Sequence, residues 1–202
     1  MLPTSDMLLM AMGVAVVLCT PGPTNTLLAT AGLRQGYRRA MPLVSVELAG
    51  YVISISLWGF LLFSTSHRLS WYLPTVQSAC AIYLGWLAMR MWQASIDVAH
   101  SARRLIGKRS FFVATLLNPK GLLFASTIFP KGAFVDTYAY FASMAEFATL
   151  LLPIGLGWIA LGARLGAGKF LWLGPLRIQR GAAIVLSVFS LCIIWTAAHE
   201  MS

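Results

Sequence analysis

The chain has 202 residues, 58% of them hydrophobic and 10% charged, with a mean hydropathy of +0.77. Soluble domains carry about 25% charged residues, so the composition excludes a sizeable water-soluble domain and marks an integral membrane protein. The net charge of +9 would suit nucleic acid, but the basic residues lie in short loops between apolar runs, which is the pattern of membrane topology and calls for no nucleic-acid partner.

The first residues, Met1 to Asp6, lack the positive n-region of a cleavable signal, so no leader is expected. Apolar segments at about 7–31, 42–63, 71–92, 111–130, 138–163 and 178–198 predict six membrane helices, each near the roughly 20 residues needed to cross. The first is interrupted at Thr20-Pro21-Gly22-Pro23-Thr24-Asn25-Thr26. Each proline lacks an N–H and clashes with the carbonyl four residues back, so the helix must stop or turn there. Gly22 adds backbone freedom. A break at membrane depth frees polar backbone groups that lipid does not satisfy, and it persists only against protein or a wet cavity. Two readings fit: a kinked helix with local capping, and a solute site on a discontinuous helix.

Span 2 carries Glu47, and span 5 carries Glu146. Ionisable groups at membrane depth are costly and usually face the bundle interior or water. Each is a candidate proton carrier or a partner for a substrate ammonium. The alternatives are snorkelling of Glu47 toward Arg38 and Arg39, and a packing role for Glu146. Span 4 contains Leu117-Asn118-Pro119-Lys120-Gly121, a second interruption. Lys120 is a candidate to pair with Glu47 or Glu146, or to attract a carboxylate. Asn25 and Asn118 are candidates to cap the freed helix ends. Pro21, Gly22, Pro23, Thr24, Asn25, Asn118, Pro119 and Lys120 together form the expected substrate-binding set.

Pro21 and Pro119 are 98 positions apart, and Glu47 and Glu146 are 99 apart. Two unusual features recurring at nearly one offset predict a single transmembrane domain built of two inverted three-helix repeats, about 1–106 and 107–202. Interruptions at matching places in two halves point to a transporter's binding site.

The basic residues fall unevenly. Arg34, Arg38, Arg39, Arg90, Arg103, Arg104, Lys108, Arg109, Arg164, Lys169, Arg177 and Arg180 flank the connections of one side, whereas only Arg68 and Lys131 flank those of the other. This bias places both termini outside. Cys19, Cys80 and Cys192 have neither disulfide-framework nor metal-ligand spacing, and His67 and His199 add no ligand partner. No cofactor motif and no nucleophile–base set is visible, so an enzyme is not expected. Gly162-xxx-Gly166 is a weak signal for close helix packing.

At Pro21-Gly22-Pro23 followed by Gly32-xxx-Gly36, and again at Leu117-Asn118-Pro119-Lys120, the chain resembles the LysE/RhtB-type amino-acid effluxers, the lysine-exporter and threonine–homoserine-exporter family. The resemblance continues through Tyr83-Leu84-Gly85-Trp86 and Leu176-Arg177-Ile178-Gln179-Arg180. Family members commonly carry an acidic residue near the start of span 2, where this chain has Glu47. The chain departs from the family at Pro130-Lys131-Gly132-Ala133-Phe134, where Pro-Gln-Phe is common. The resemblance implies export of amino acids or close derivatives across the bacterial cytoplasmic (inner) membrane, driven by the proton gradient, with a homodimer left open.

Two other functions fit the sequence less well. A thiol or electron carrier of related architecture needs a cysteine beside each proline. Cys19 precedes Thr20-Pro21, but Leu116-Leu117 stand at the matching place. A metal-ion exporter needs a ligand cluster that the sequence does not show.

Overall fold

A computed structural model describes residues 4–66, 72–93 and 107–166, together with Ile184, Ser187, Val188, Ser190, Leu191, Ile194 and Trp195. The described residues are helical, with no strand among them. His67, Arg68, Trp71, Arg103, Arg104, Cys192, His199, the 176–180 segment and most of the expected sixth span lie outside them.

The helices are α1 (Thr4–Cys19), α2 (Pro23–Gln35), α3 (Tyr37–Ala40), α4 (Pro42–Ser66), α5 (Tyr72–Gln93), α6 (Lys108–Leu116), α7 (Pro119–Leu123) and α8 (Thr137–Gly166). A π turn, Phe124–Ile128, continues α7, and a 3-10 turn, Lys131–Phe134, precedes α8. The punctuation is chemical. Pro23 and Pro119 sit in the first turns of α2 and α7, where a missing N–H costs nothing. Asp136 accepts from the Ala139 N–H at 2.8 Å and caps α8, the usual N-cap role of an aspartate. Gly36 ends α2 at φ 76°, a left-handed conformation that only glycine adopts without steric cost.

Among the described residues, two helices are long and apolar enough to cross a membrane, spanning Tyr37–Ser64 and Thr137–Leu165. Two bent pairs raise the number to four if each pair is one span: Ser5–Cys19 with Pro23–Gln35, bent by 55°, and Lys108–Leu116 with Pro119–Ile128, bent by 42°. Neither α1 nor α6 runs on into its neighbour. At about 1.5 Å per residue, α6 alone reaches about 13 Å, less than half a bilayer core. Large apolar side chains point outward, among them Leu8, Leu9 and Met12 of α1, Ile53, Leu57 and Phe60 of α4, and Phe141 of α8. Exposed apolar rows of this kind fit lipid rather than water.

α4 is the hub, packing against α2, α3, α5, α6, α7 and α8. It runs antiparallel to α8: Gly155 lies against Val44 and Glu47, Tyr51 meets Phe147, and Ser56 bonds Tyr140. Tyr51, Phe124 and Phe147 form an edge-to-face trio with centroids 5.0–5.8 Å apart, within the preferred range for aromatic pairs. Phe129, Phe134, Phe60 and Tyr140 extend it.

Among the described residues, the most extensive helix contact is between α2 and α8. A Cβ on Gly32 would lie 2.1 Å from the Ile159 carbonyl oxygen, and one on Gly162 would lie 1.8 Å from the Ala29 carbonyl oxygen. The two backbones touch with no side chain between them.

Candidate functional site

The chain breaks at 20–23 and 117–118 meet inside the bundle. The centre is built from the carbonyl end of α1. In a continuous helix the Val17 carbonyl would accept from residue 21, which is Pro21 and has no N–H. The Lys120 ammonium takes that place, donating to Val17 O at 2.8 Å and to Thr20 O at 2.9 Å. The Leu18 carbonyl is served by Asn25 Nδ2 at 2.6 Å and Trp158 Nε1 at 3.1 Å. Asn25 Nδ2 also donates to Thr20 O at 2.7 Å. A cation at a helix C-terminus also complements the helix dipole.

The second break is tied to the first. Asn118 caps α7 by accepting from the Lys120 N–H at 3.1 Å. Its Nδ2 donates to Tyr51 OH at 2.9 Å and to Thr24 Oγ1 at 3.2 Å. Thr24 Oγ1 and Tyr51 OH are themselves 3.2 Å apart. One asparagine therefore joins α7, α2 and α4. Pro21, Gly22 and Pro23 supply shape rather than polar groups. A Cβ on Gly22 would sit 2.9 Å from Lys120 Cε and Nζ, so the absent side chain is what lets the ammonium reach α1.

Glu47 lies on α4 one turn before Tyr51. It is 1% exposed and Lys120 is 2% exposed, and these are the two charged side chains buried among the described residues. Thr24 adjoins the Glu47 carboxyl from α2, and Gly155 packs on Oε2 from α8. Glu47 Oε1 has no hydrogen-bond partner among the described residues. A buried carboxyl oxygen without a donor is costly. One turn beyond Tyr51, Ser54 Oγ is likewise buried and unpartnered, against Gly121 of α7.

The structure thus brings together Thr24, Asn25, Glu47, Asn118 and Lys120. Glu146 is half-buried on α8 beside Phe147, and its Oε2 is likewise buried with no hydrogen-bond partner among the described residues; no hydrogen bond among those residues joins its carboxyl to this cluster. Lys120 hydrogen-bonds to backbone carbonyls, and of the two glutamates that the sequence offers, Glu47 interacts with it electrostatically. The sequence reading missed Tyr51 and Trp158. Tyr51 had a signal, being four residues after Glu47 and therefore on the same face of α4. Cys19 is exposed beside a groove containing Trp158, and Cys80 is buried 3.9 Å from Ser126 Oγ.

Next to this centre, a cavity of about 310 Å³ opens between α5 and α7. Val76, Cys80, Tyr83, Leu122 and Leu123 line it, and Lys120 is the one charged residue among the described residues that line it.

No family model matches the chain, and no solved structure matches it. The homoserine/homoserine lactone efflux proteins of Salmonella typhimurium (strain LT2) and Salmonella typhi are each 33% identical to it over 116 residues, covering 54% of this chain and 55% of theirs. The chain spans about half the length of the curated relatives it matches.

Proposed function

We propose that the protein is a secondary transporter that exports amino acids or close derivatives, homoserine and its lactone among them, across the bacterial cytoplasmic membrane. The observation that carries this reading is a buried, partly unsatisfied polar centre where two broken helices meet, with a carboxyl and an ammonium both sealed from solvent. Sites of this kind, at helix interruptions in two halves of a chain, are how transporters hold small charged solutes. The efflux names of the relatives support the same reading, as does the resemblance to LysE/RhtB-type exporters.

In this reading the chain forms one transmembrane domain of six helices in two inverted repeats, 1–106 and 107–202, with both termini outside. Glu47 receives the substrate ammonium or the coupling proton, and proton antiport supplies the energy. The free N–H groups at the start of α2, with Lys120, receive the carboxylate. Glu146 serves the outward-facing state as the counterpart of Glu47. Pairing as a homodimer is compatible with this scheme. A thiol carrier is disfavoured, because no cysteine in the second half matches Cys19.

The test is transport by the purified full chain in proteoliposomes with an imposed pH gradient and radiolabelled homoserine. Wild-type protein should concentrate the solute against its gradient. Glu47→Gln, which keeps size and hydrogen bonding without titrating, should retain homoserine exchange and lose gradient-driven accumulation. If Glu47→Gln accumulates solute with the wild-type pH dependence, Glu47 is not the proton carrier. If wild-type protein moves neither homoserine nor its lactone nor any other amino acid, the exporter reading falls.

A further inference from the structure

We propose that the cavity between α5 and α7 is the side-chain pocket of the exported solute, and that it selects solutes whose side chain is apolar or uncharged. The proposal rests on the exporter reading above and adds what that reading leaves open, the substrate class.

Three observations converge. The first is size and place. At about 310 Å³, the cavity lies at the lower end of small-molecule sites, which run from about 300 Å³ upward. It adjoins the polar centre through Lys120, a residue of both. The second is the ammonium's spare capacity. A lysine has three N–H donors. Two reach Val17 O and Thr20 O, and one is left for a carboxylate or a lactone carbonyl at the cavity's end. The third is the lining. Val76, Cys80, Leu122 and Leu123 offer no charge, and Tyr83 offers a single hydroxyl.

This lining discriminates by what it lacks. A solute with a cationic side chain would bury a second ammonium with no acid to meet it, and a buried unpaired charge is strongly disfavoured. A solute with an acidic side chain would set two carboxylates on one ammonium that is already shared with two carbonyls. An aliphatic chain or a lactone ring loses nothing on entry and gains apolar burial. The pocket therefore passes leucine-like solutes and homoserine lactone, and rejects lysine and glutamate.

The experiment is counterflow into proteoliposomes containing the purified full chain, with alanine, leucine, homoserine lactone, lysine and glutamate as labelled solutes. Two variants alter the pocket in opposite senses: Val76→Phe fills it and Leu122→Ala enlarges it. Neither residue belongs to the polar centre. Wild-type protein should exchange leucine and the lactone at least about tenfold faster than lysine or glutamate, the scale on which pocket fit separates substrates. Val76→Phe should lower the leucine-to-alanine ratio about tenfold, and Leu122→Ala should raise it. A folding defect lowers all solutes alike and does not move that ratio in opposite directions. If both variants leave the ratios at the wild-type values, the cavity is not the side-chain pocket. Rapid lysine exchange by wild-type protein overturns the proposal equally. Both of those results leave the exporter reading standing, whereas absence of exchange with every solute overturns the exporter reading itself.

Discussion

The Lys120 ammonium donates to the carbonyl oxygen of Val17, 103 positions earlier in the chain, at 2.8 Å. This is the acceptor that Pro21 leaves vacant, since proline has no N–H to return to it. One half of the protein thereby finishes a helix belonging to the other half.

Gly22→Ala is expected to disturb this bond selectively. The new Cβ meets the far end of a flexible side chain, Lys120 Cε and Nζ at 2.9 Å, so the lysine moves while the backbone stays. Thermal stability should fall by no more than about 1–3 kcal/mol, the range for a small overpacking, while homoserine exchange falls steeply. Melting curves and transport on the same preparation separate the two effects.

Asn25→Asp should be worse than Asn25→Ala. Alanine removes the amide donor to Leu18 O and Thr20 O, but these keep Trp158 Nε1 and Lys120 Nζ as donors, so each lost bond costs about 0.5–1.5 kcal/mol. Aspartate has almost the same shape but is acceptor-only when ionised, so it also sets a carboxylate against those carbonyls. The yield of monodisperse protein in detergent should follow the order Asn25, Ala, Asp.

Tyr51→Phe keeps the ring against Phe124 and Phe147 and removes the hydroxyl that accepts from Asn118 Nδ2. The expected loss is only about 0.5–1.5 kcal/mol, because Asn118 keeps Thr24 as an alternative partner. Combined with Thr24→Val, the loss should exceed the sum of the two single changes, since the residues share one partner. A double-mutant cycle on unfolding free energies measures this.

Glycines of α8 should divide sharply. Gly162→Ala places a Cβ 1.8 Å from the Ala29 carbonyl oxygen, whereas nothing lies within 4 Å of a Cβ at Gly157. The first change must push two backbones apart and should abolish the monodisperse peak. The second should be neutral, or should gain up to about 1 kcal/mol from better helix propensity. Fluorescence-detected size exclusion reports both.

The ends of α1 and α6 are legible in the sequence, because a missing N–H is a covalent property of Pro21, Pro23 and Pro119 and acts wherever the chain lies. The capping roles of Asn25 and Asn118 are legible for a similar reason: a short amide beside a break has backbone groups within reach. The acceptors of Lys120 are not legible. Carbonyls occur at every residue and leave no signature, so the sequence offers only the glutamates as partners. Glu47 and Glu146 look equivalent by spacing, yet Glu47 is 1% exposed and Glu146 only half-buried, because the 99-residue offset says nothing about rotation about the helix axis. Gly32 and Gly162 each sit among other small residues, and only the crossing of α2 and α8 picks out which of them touch.

That crossing also has a mechanical consequence. With carbonyl oxygens pressed against the glycines at both Gly32 and Gly162, α2 has no side-chain layer on which to slide over α8. The 55° bend at the first break leaves α1 joined to this pair through Thr20–Gly22, the joint that a change of angle would have to use. The bonds from Lys120 to Val17 O and Thr20 O brace α1 against α7 beside that joint.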